Sequence, residues 1–214
     1  MNNNGYFAFG MLIAVSIVMG GVGMAGMLPA SPASRNSILR ETFTLVDANG
    51  TDTQATLKGK PSVIYFGYTY CPEFCPTTLT DLSRWIQKLG ADANDLNYIF
   101  VTVDPERDTP KVLSEYLSSF NNRIHGYTGT PDQIAKVAKS YHVYYKRVPS
   151  SDGGYYLDHS AAIYLIGPDG RVEDIIPYKE DDDAAVAKLK RLAGRKAADS
   201  KRRPAAANCA PAKS

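Results

Sequence analysis

Two cysteines, Cys71 and Cys75, stand at a spacing that suits redox or metal chemistry. They follow the apolar run 62–68 and precede residues of helical periodicity, which predicts the end of a strand and the start of a helix. At that position the helix dipole and the free N–H groups stabilise a thiolate. The C-x-x-x-C spacing brings the sulfurs within one helical turn, where they can close a disulfide or hold one metal ion. The alternative, a pair of buried structural cysteines, is disfavoured because prolines flank both residues.

His159 is the third candidate ligand, because Asp158-His159-Ser160 directly precedes the strand-like run 161–166. If that strand is antiparallel to the first one, its start lies at the same sheet edge as the cysteines. Two thiolates and one imidazole suit copper, and Cu(I) above all, with Cu(II) left open. Zinc is the second choice, because a structural zinc site closes with four protein ligands and the sequence offers three. The alternative for a single histidine is a packed or solvated side chain.

The remaining sulfur and imidazole side chains are predicted to lie outside the site. His125 and His142 precede no core strand at the cysteine edge, and Cys209 falls in the tail of the chain. Every methionine lies at or before Met27, so the rest of the chain cannot build a blue-copper site with an axial methionine.

A polar loop at 104–110 follows the apolar run 97–103 and reaches the cysteine edge if the first two strands are parallel. We predict that Asp104 in this loop, and Asp158 beside the histidine, support the site by orienting a ligand or a partner. The alternative for the loop is a plain strand-to-helix turn and cap, because Asp, Pro and Thr are the residues that such turns use.

The periodicity around these residues predicts the elements that position them. Strands are predicted at 62–68, 97–103, 161–166 and 172–176, with an Asp-Gly turn joining the last two. Helices are predicted at 76–89, 112–120, 134–141 and 182–192. This order predicts an α/β protein with a thioredoxin-like fold, in which helices flank a central mixed sheet.

Length, composition and charge bound the remaining possibilities. With 214 residues, 44% of them hydrophobic, the chain is predicted to hold one main domain. A net charge of +2 gives no reason to expect a nucleic-acid partner. Residues 6–28 carry no charge and are long enough for a transmembrane helix, with a secretory signal as the alternative. We therefore divide the chain into an N-terminal segment (1–5), a transmembrane anchor (6–28), a linker (29–38), the domain (39–194) and a disordered basic tail (195–214).

Three motifs together resemble the Sco/SenC family of copper chaperones for cytochrome c oxidase assembly. They are GYTYCPEFCPTTL at 67–79, VTVDPERDTP at 101–110 and YYLDHSAAIYLIGPDG at 155–170. The resemblance implies a thioredoxin-like fold over about 39–194, with copper bound by Cys71, Cys75 and His159. It also implies a domain anchored in the inner membrane and facing the periplasm, or the mitochondrial intermembrane space in a eukaryote. The implied partners are the copper-accepting subunit of cytochrome c oxidase, other copper chaperones and thioredoxin-like reductases.

Two functions remain open from the sequence. A metallochaperone would hold copper on the thiolates and the imidazole and pass it to a partner's cysteines, which requires His159. A thiol–disulfide oxidoreductase would use Cys71 and Cys75 as a redox pair and would need no copper. Thioredoxins carry C-x-x-C, whereas three residues separate the cysteines here, so the metallochaperone is the preferred prediction.

Overall fold

The computed structural model describes residues 44–50, 57, 59–151 and 153–202, and for 196–202 it describes the backbone only. These residues belong to a unit that spans 35–214. The predicted segments 1–5, 6–28 and 29–38 lie outside the described residues, as does the end of the predicted tail from 203 onward. Within the described ranges, no helix combines the length and the apolar character that crossing a membrane requires.

The described chain alternates strands and helices. In chain order the elements are β1 (Ser62–Gly67), α1 (Phe74–Leu89), a 3₁₀ helix (Gly90–Asp95), β2 (Asn97–Thr102), α2 (Pro110–Ser118), β3 (Ile124–Tyr127), α3 (Pro131–Ser140), β4 (Tyr145–Pro149), β5 (Tyr155–His159), β6 (Ile163–Ile166), β7 (Val172–Ile176) and α4 (Asp182–Arg202). Five strands form the central sheet in the order β3-β2-β1-β6-β7, and β4 pairs with β5 in a separate two-stranded sheet. The predicted mixed sheet flanked by helices is therefore confirmed.

The register of β1 explains why the candidate residues share one edge of the sheet. All six residues of β1 are buried, as expected for a central strand that is covered on both faces. β2 runs parallel to β1 and pairs Thr102 with Gly67, so both strands end at the same edge. β6 runs antiparallel to β1 and begins at that edge, with Ile163 opposite Tyr65. Both strand orientations on which the predicted site depends are confirmed.

Three of the observed strands, β3, β4 and β5, are not predicted from the sequence. β3 has only four residues and contains Gly126, so it carries little of the apolar, β-branched signal of a strand. β4 and β5 form a hairpin outside the central sheet, and the exposed Lys146 and Arg147 on β4 give no buried pattern to recognise. His159, predicted in the approach to β6, is the last residue of β5.

The last helix is longer than the sequence predicts. It begins at Asp182 as expected but continues to Arg202 instead of ending at 192, so residues 195–202 are helical where a disordered tail was predicted. The reason is composition, because alanine, lysine and arginine favour helix and the first proline after the start of α4 is Pro204. Thr109 and Thr130 cap the starts of α2 and α3, because each threonine side-chain oxygen accepts a hydrogen bond from a backbone N–H in the first turn.

Candidate metal centre

The two cysteines lie where β1 passes into α1. Cys71 is in the loop before the helix and is 6% exposed, whereas Cys75 is in the first helical turn and has no exposed surface. The sulfur of Cys75 packs against the backbone of Gly67, where an added Cβ would lie 2.6 Å from it. Gly67 therefore lets the helix bring Cys75 against the end of the central strand.

His159 completes the cluster from a different sheet. Its Nε2 lies 3.5 Å from the Cys75 sulfur. The ligand atoms of Cys71, Cys75 and His159 all lie within 4.8 Å of one another. On the other side of the ring, Nδ1 is 3.0 Å from the carbonyl oxygen of Ser160, which assigns the ring proton to Nδ1 and leaves Nε2 free to bind a metal.

Tyr68 fastens the hairpin to the core beside the histidine. Its hydroxyl accepts a hydrogen bond of 3.1 Å from the backbone N–H of Leu157 on β5. Its ring lies 5.6 Å from the His159 ring in an edge-to-face arrangement. Just beyond β5, Ser160 and Tyr144 exchange two hydrogen bonds, of 2.9 and 3.1 Å, that close the hairpin at the site. These contacts fix the position of β5 and pack Tyr68 against the imidazole.

Asp104 is connected to this hairpin and not to the three candidate ligands. Its carboxylate is 2% exposed, forms a salt bridge with Arg107 and accepts a 2.8 Å hydrogen bond from the Tyr155 hydroxyl. The Arg107 guanidinium also donates to the Tyr155 carbonyl at 3.1 Å and lies 3.8 Å from the centre of the Tyr155 ring. Tyr155 is the first residue of β5, so these contacts link Asp104 to the hairpin that carries His159.

The other sequence-predicted residues lie outside the cluster. Asp158 is exposed on β5 and lies opposite Lys146 in the strand register of the hairpin. The group that contacts Nδ1 of His159 is the Ser160 carbonyl and not the Asp158 carboxylate. His125 on β3 and His142 after α3 are both exposed. Cys209 lies outside the described residues.

Sequence reasoning missed Asp108, a fully buried carboxylate in the same loop as Asp104. It accepts hydrogen bonds from the backbone N–H of Thr69 at 3.0 Å and from the hydroxyls of Thr69 and Thr102 at 2.5 and 2.6 Å. Burial raises the pKa of Asp108, and the bonds from the two threonines oppose that rise. Asp108 thus ties the start of the cysteine loop to the end of β2, a contact between distant residues that no local pattern signals.

The two thiols differ sharply in acidity. A hydrogen bond from the Cys75 side chain, with a further bond from the Cys75 backbone N–H, lowers the pKa of Cys71 to about 4 against the effect of burial. Burial, together with the neighbouring Cys71 sulfur, raises the pKa of Cys75 well above its usual value. At neutral pH the pair therefore consists of a Cys71 thiolate and a Cys75 thiol, and a metal ion would displace the second proton.

The donor set fits copper. Two sulfurs and one imidazole are the soft and intermediate ligands that copper prefers. Among the described residues, no fourth His, Cys, Asp or Glu joins the group, so a closed structural zinc site is not formed by them. An open coordination position is what an ion needs if it is to be passed on.

Comparison with known proteins decides the family. Residues 31–194 match the family model SCO1/SenC. The chain belongs to the SCO1/SenC family. Among curated SCO relatives, Protein SCO2, mitochondrial, of Saccharomyces cerevisiae is 41% identical over 152 residues, which is 69% of this chain and 50% of the relative. Protein SCO1, mitochondrial, of the same yeast is 40% identical over 151 residues, which is 69% of this chain and 51% of the relative. The chain thus spans about half the length of these relatives.

Solved SCO structures share the fold and include copper-bound examples. The structure of Bradyrhizobium japonicum ScoI with copper bound is 48% identical, covers 70% of this chain and 96% of that chain, and has a TM-score of 0.65. The crystal structure of yeast Sco1 with copper bound is 35% identical, covers 77% of this chain and 94% of that chain, and has a TM-score of 0.66. The prediction of copper is confirmed by two findings. SCO relatives have been solved with copper bound, and Cys71, Cys75 and His159 could hold a metal ion here.

Proposed function

We propose that this SCO1/SenC chain carries one copper ion on Cys71, Cys75 and His159 and delivers it during assembly of cytochrome c oxidase. The observation that carries the proposal is the convergence of two sulfurs and one imidazole nitrogen within 4.8 Å. Copper in two related structures supports the choice of ion. A further relative, BsSco, is described as a member of the Sco family of cytochrome c oxidase assembly proteins, which supports the choice of process.

Delivery is proposed to proceed by ligand exchange with cysteines of the copper-accepting subunit of the oxidase. Cys71 is the more exposed of the two sulfurs and the one held as thiolate, so it meets an incoming copper ion or a partner's thiolate first. Tyr70 and Phe74, which directly precede Cys71 and Cys75 in the sequence, are 64% and 45% exposed and offer aromatic surface for a partner. Cys75 and His159 hold the ion from the buried side until the partner has supplied its ligands.

We propose that the domain works at a membrane. The uncharged run 6–28 is the proposed anchor, and the proposed location is the periplasmic face of an inner membrane, or the intermembrane space of a mitochondrion. The mitochondrial relatives support the second setting for a eukaryotic source. Retention of the full chain in the membrane fraction after an alkaline carbonate wash is the expected result, and release of intact protein would contradict the anchor.

A thiol–disulfide oxidoreductase is the second candidate, favoured by the acidity difference within the cysteine pair. A low-pKa thiolate at Cys71 is suited to attack a disulfide, and the nearby Cys75 can resolve the mixed disulfide. The related protein BsSco, whose structure has been solved, contains a disulfide switch. This activity requires both cysteines but not His159.

Copper titration of the full chain in detergent separates the two functions. Under reducing conditions and against a competing chelator, we expect one tightly held copper per chain, which is lost in Cys71→Ala, Cys75→Ala and His159→Ala. His125→Ala is the matched control, because His125 is exposed and lies outside the cluster. If wild type and His159→Ala bind copper equally poorly while both cycle a dithiol and a disulfide, the protein is an oxidoreductase.

A further inference from the structure

The hydroxyl of Tyr65 points at the buried sulfur of the cluster. Tyr65 lies on β1, has no exposed surface, and places its oxygen 3.5 Å from the sulfur of Cys75. Sulfur is a large acceptor, so this separation is that of an O–H···S hydrogen bond. A buried phenol keeps its proton, which makes the tyrosine the donor in this pair.

Both members of the pair are fixed by their surroundings. The Tyr65 ring lies edge-to-face with Phe100 at 5.9 Å and with His159 at 6.3 Å. The Cys75 sulfur is confined on another side by the backbone of Gly67. The hydrogen bond is therefore built into the packing of the central strand and does not depend on a mobile side chain.

We propose that Tyr65 is a positioning residue that tunes the sulfur of Cys75 for both copper binding and thiol chemistry. The copper half of this inference rests on the proposed function, whereas the thiol half does not. A hydrogen bond to a cysteine sulfur withdraws electron density from it, and such bonds tune the potential of copper–thiolate centres. A less electron-rich sulfur donates less to Cu(II), so the hydrogen bond favours Cu(I).

The same hydrogen bond favours the dithiol over the disulfide, because a disulfide sulfur is the poorer acceptor. When a small dithiol reduces the Cys71–Cys75 disulfide, the protein S–S bond breaks and the reagent gives up two electrons and forms its own disulfide. The two protons that the reagent releases pass to the protein sulfurs or to solvent. Tyr65 then donates to the Cys75 sulfur of the reduced pair.

Tyr65→Phe, in the full chain carrying Cys209→Ser, removes this donor and little else. Tyr98→Phe is the matched control, because Tyr98 is also buried, lies on the adjacent strand β2, and its hydroxyl has no hydrogen-bond partner among the described residues. Its strand partner is Val63, so it sits toward the opposite end of β1 from the cluster. The two variants thus delete the same atom from the same core, once at the site and once away from it.

The first measurement is the equilibrium of the cysteine pair in buffers of a small dithiol and its disulfide, read by thiol trapping without copper. We expect Tyr65→Phe to shift it about tenfold toward the disulfide, a potential lower by about 30 mV, and Tyr98→Phe to leave it unchanged. The second is the sulfur-to-Cu(II) charge-transfer band, which should shift in Tyr65→Phe alone. Equal values for both variants in both measurements would overturn the proposal.

The two measurements also separate this inference from the proposed function. If the chain fails to bind copper, the dithiol equilibrium still tests Tyr65. If it binds copper but neither measurement distinguishes Tyr65→Phe from Tyr98→Phe, the tuning role alone is wrong. Thermal unfolding of both variants checks that they fold, and Tyr65→Leu, which also lacks the hydroxyl and adds no metal ligand, replaces Tyr65→Phe if that variant does not.

Discussion

The ring of Tyr155 is stacked between two guanidinium groups that differ in their acidic partners. Arg107 lies 3.8 Å and Arg147 lies 3.9 Å from the ring centre. Arg107 pairs with the buried carboxylate of Asp104, whereas Arg147 pairs with Glu106 at the surface, where the two side chains are 52% and 55% exposed. Both arginines stack on Tyr155, so replacing each in turn by alanine compares the loss of an ion pair to a buried carboxylate with the loss of an ion pair at the surface.

We expect Arg107→Ala to be much the more destabilising change. Removing one partner of a buried pair costs about 3–5 kcal/mol, because the other charge remains buried. The Tyr155 hydroxyl still donates to Asp104, so the lower end of that range, about 3 kcal/mol, is the expected loss. For a domain of this size that corresponds to a melting temperature lower by roughly 6–12 °C. Arg147→Ala loses an exposed pair, worth at most about 1 kcal/mol.

The same variant should separate copper binding from thiol chemistry. Arg107 holds the hairpin that carries His159, and it stacks on Tyr70 beside Cys71 at 4.7 Å but forms no hydrogen bond with either described cysteine. We therefore expect slightly less than half of the lost stability, about 1.4 kcal/mol, to appear as weaker copper binding. This corresponds to an affinity about tenfold lower in a chelator competition. The Cys71–Cys75 disulfide should form as readily as in wild type.

Denaturant or thermal unfolding of the apo protein checks the stability difference. Asp104→Asn added to Arg107→Ala should recover part of the loss, because it removes the uncompensated charge. The reasoning is wrong if Arg107→Ala and Arg147→Ala lower stability equally, or if the second substitution deepens the loss caused by the first.

Two further predictions concern the cysteine loop. Gly67→Ala places a Cβ 2.6 Å from the Cys75 sulfur and 3.0 Å from the Phe100 ring, so it should displace Cys75 and weaken copper binding at least tenfold in the same chelator assay. Gly194→Ala, where nothing lies within 4 Å, is the control and should keep full affinity. The pKa of Cys71, about 4 in the folded protein, lies below the roughly 8.5 of an unfolded thiol, so the thiolate is retained as the pH falls and is lost only near pH 4. The rate of Cys71 alkylation, followed by peptide mass spectrometry on the reduced apo protein, should therefore stay nearly constant from about pH 8 to about pH 5, and a tenfold fall per pH unit over that range would contradict the assignment.

The cysteine half of the site could be predicted because its signals are local. The apolar run that forms β1 and the helical periodicity after Cys75 lie on either side of the motif, and together they place both sulfurs at a sheet edge. The histidine half was predicted at the right edge but on the wrong element. His159 reaches the cluster on the hairpin, whose exposed, charged strand β4 has no buried face to generate an apolar pattern.

The supporting residues show where sequence reasoning stops. Asp104 and Asp108 stand four positions apart in one loop, and both are buried. Only the three-dimensional structure shows that Asp108 bonds to Thr69 in the cysteine loop while Asp104 bonds to Tyr155 on the hairpin. Tyr65 reads in the sequence as one more apolar strand residue, because its hydroxyl meets Cys75 only after α1 has folded back onto β1.

The imidazole and the two sulfurs of the cluster come from separate parts of the fold, so the proposed copper binding is separable from the thiol–disulfide chemistry of the cysteines. The sulfurs lie in the loop after β1 and in the first turn of α1, whereas the nitrogen lies on the β4–β5 hairpin, which is not part of the central sheet. Displacement of the hairpin would remove one ligand of three and leave the dithiol intact, so an occupied site should resist proteolysis within β4 and β5 more than an empty one. Substitutions in the hairpin could then alter how long the ion is kept without altering the reducing power of the thiols.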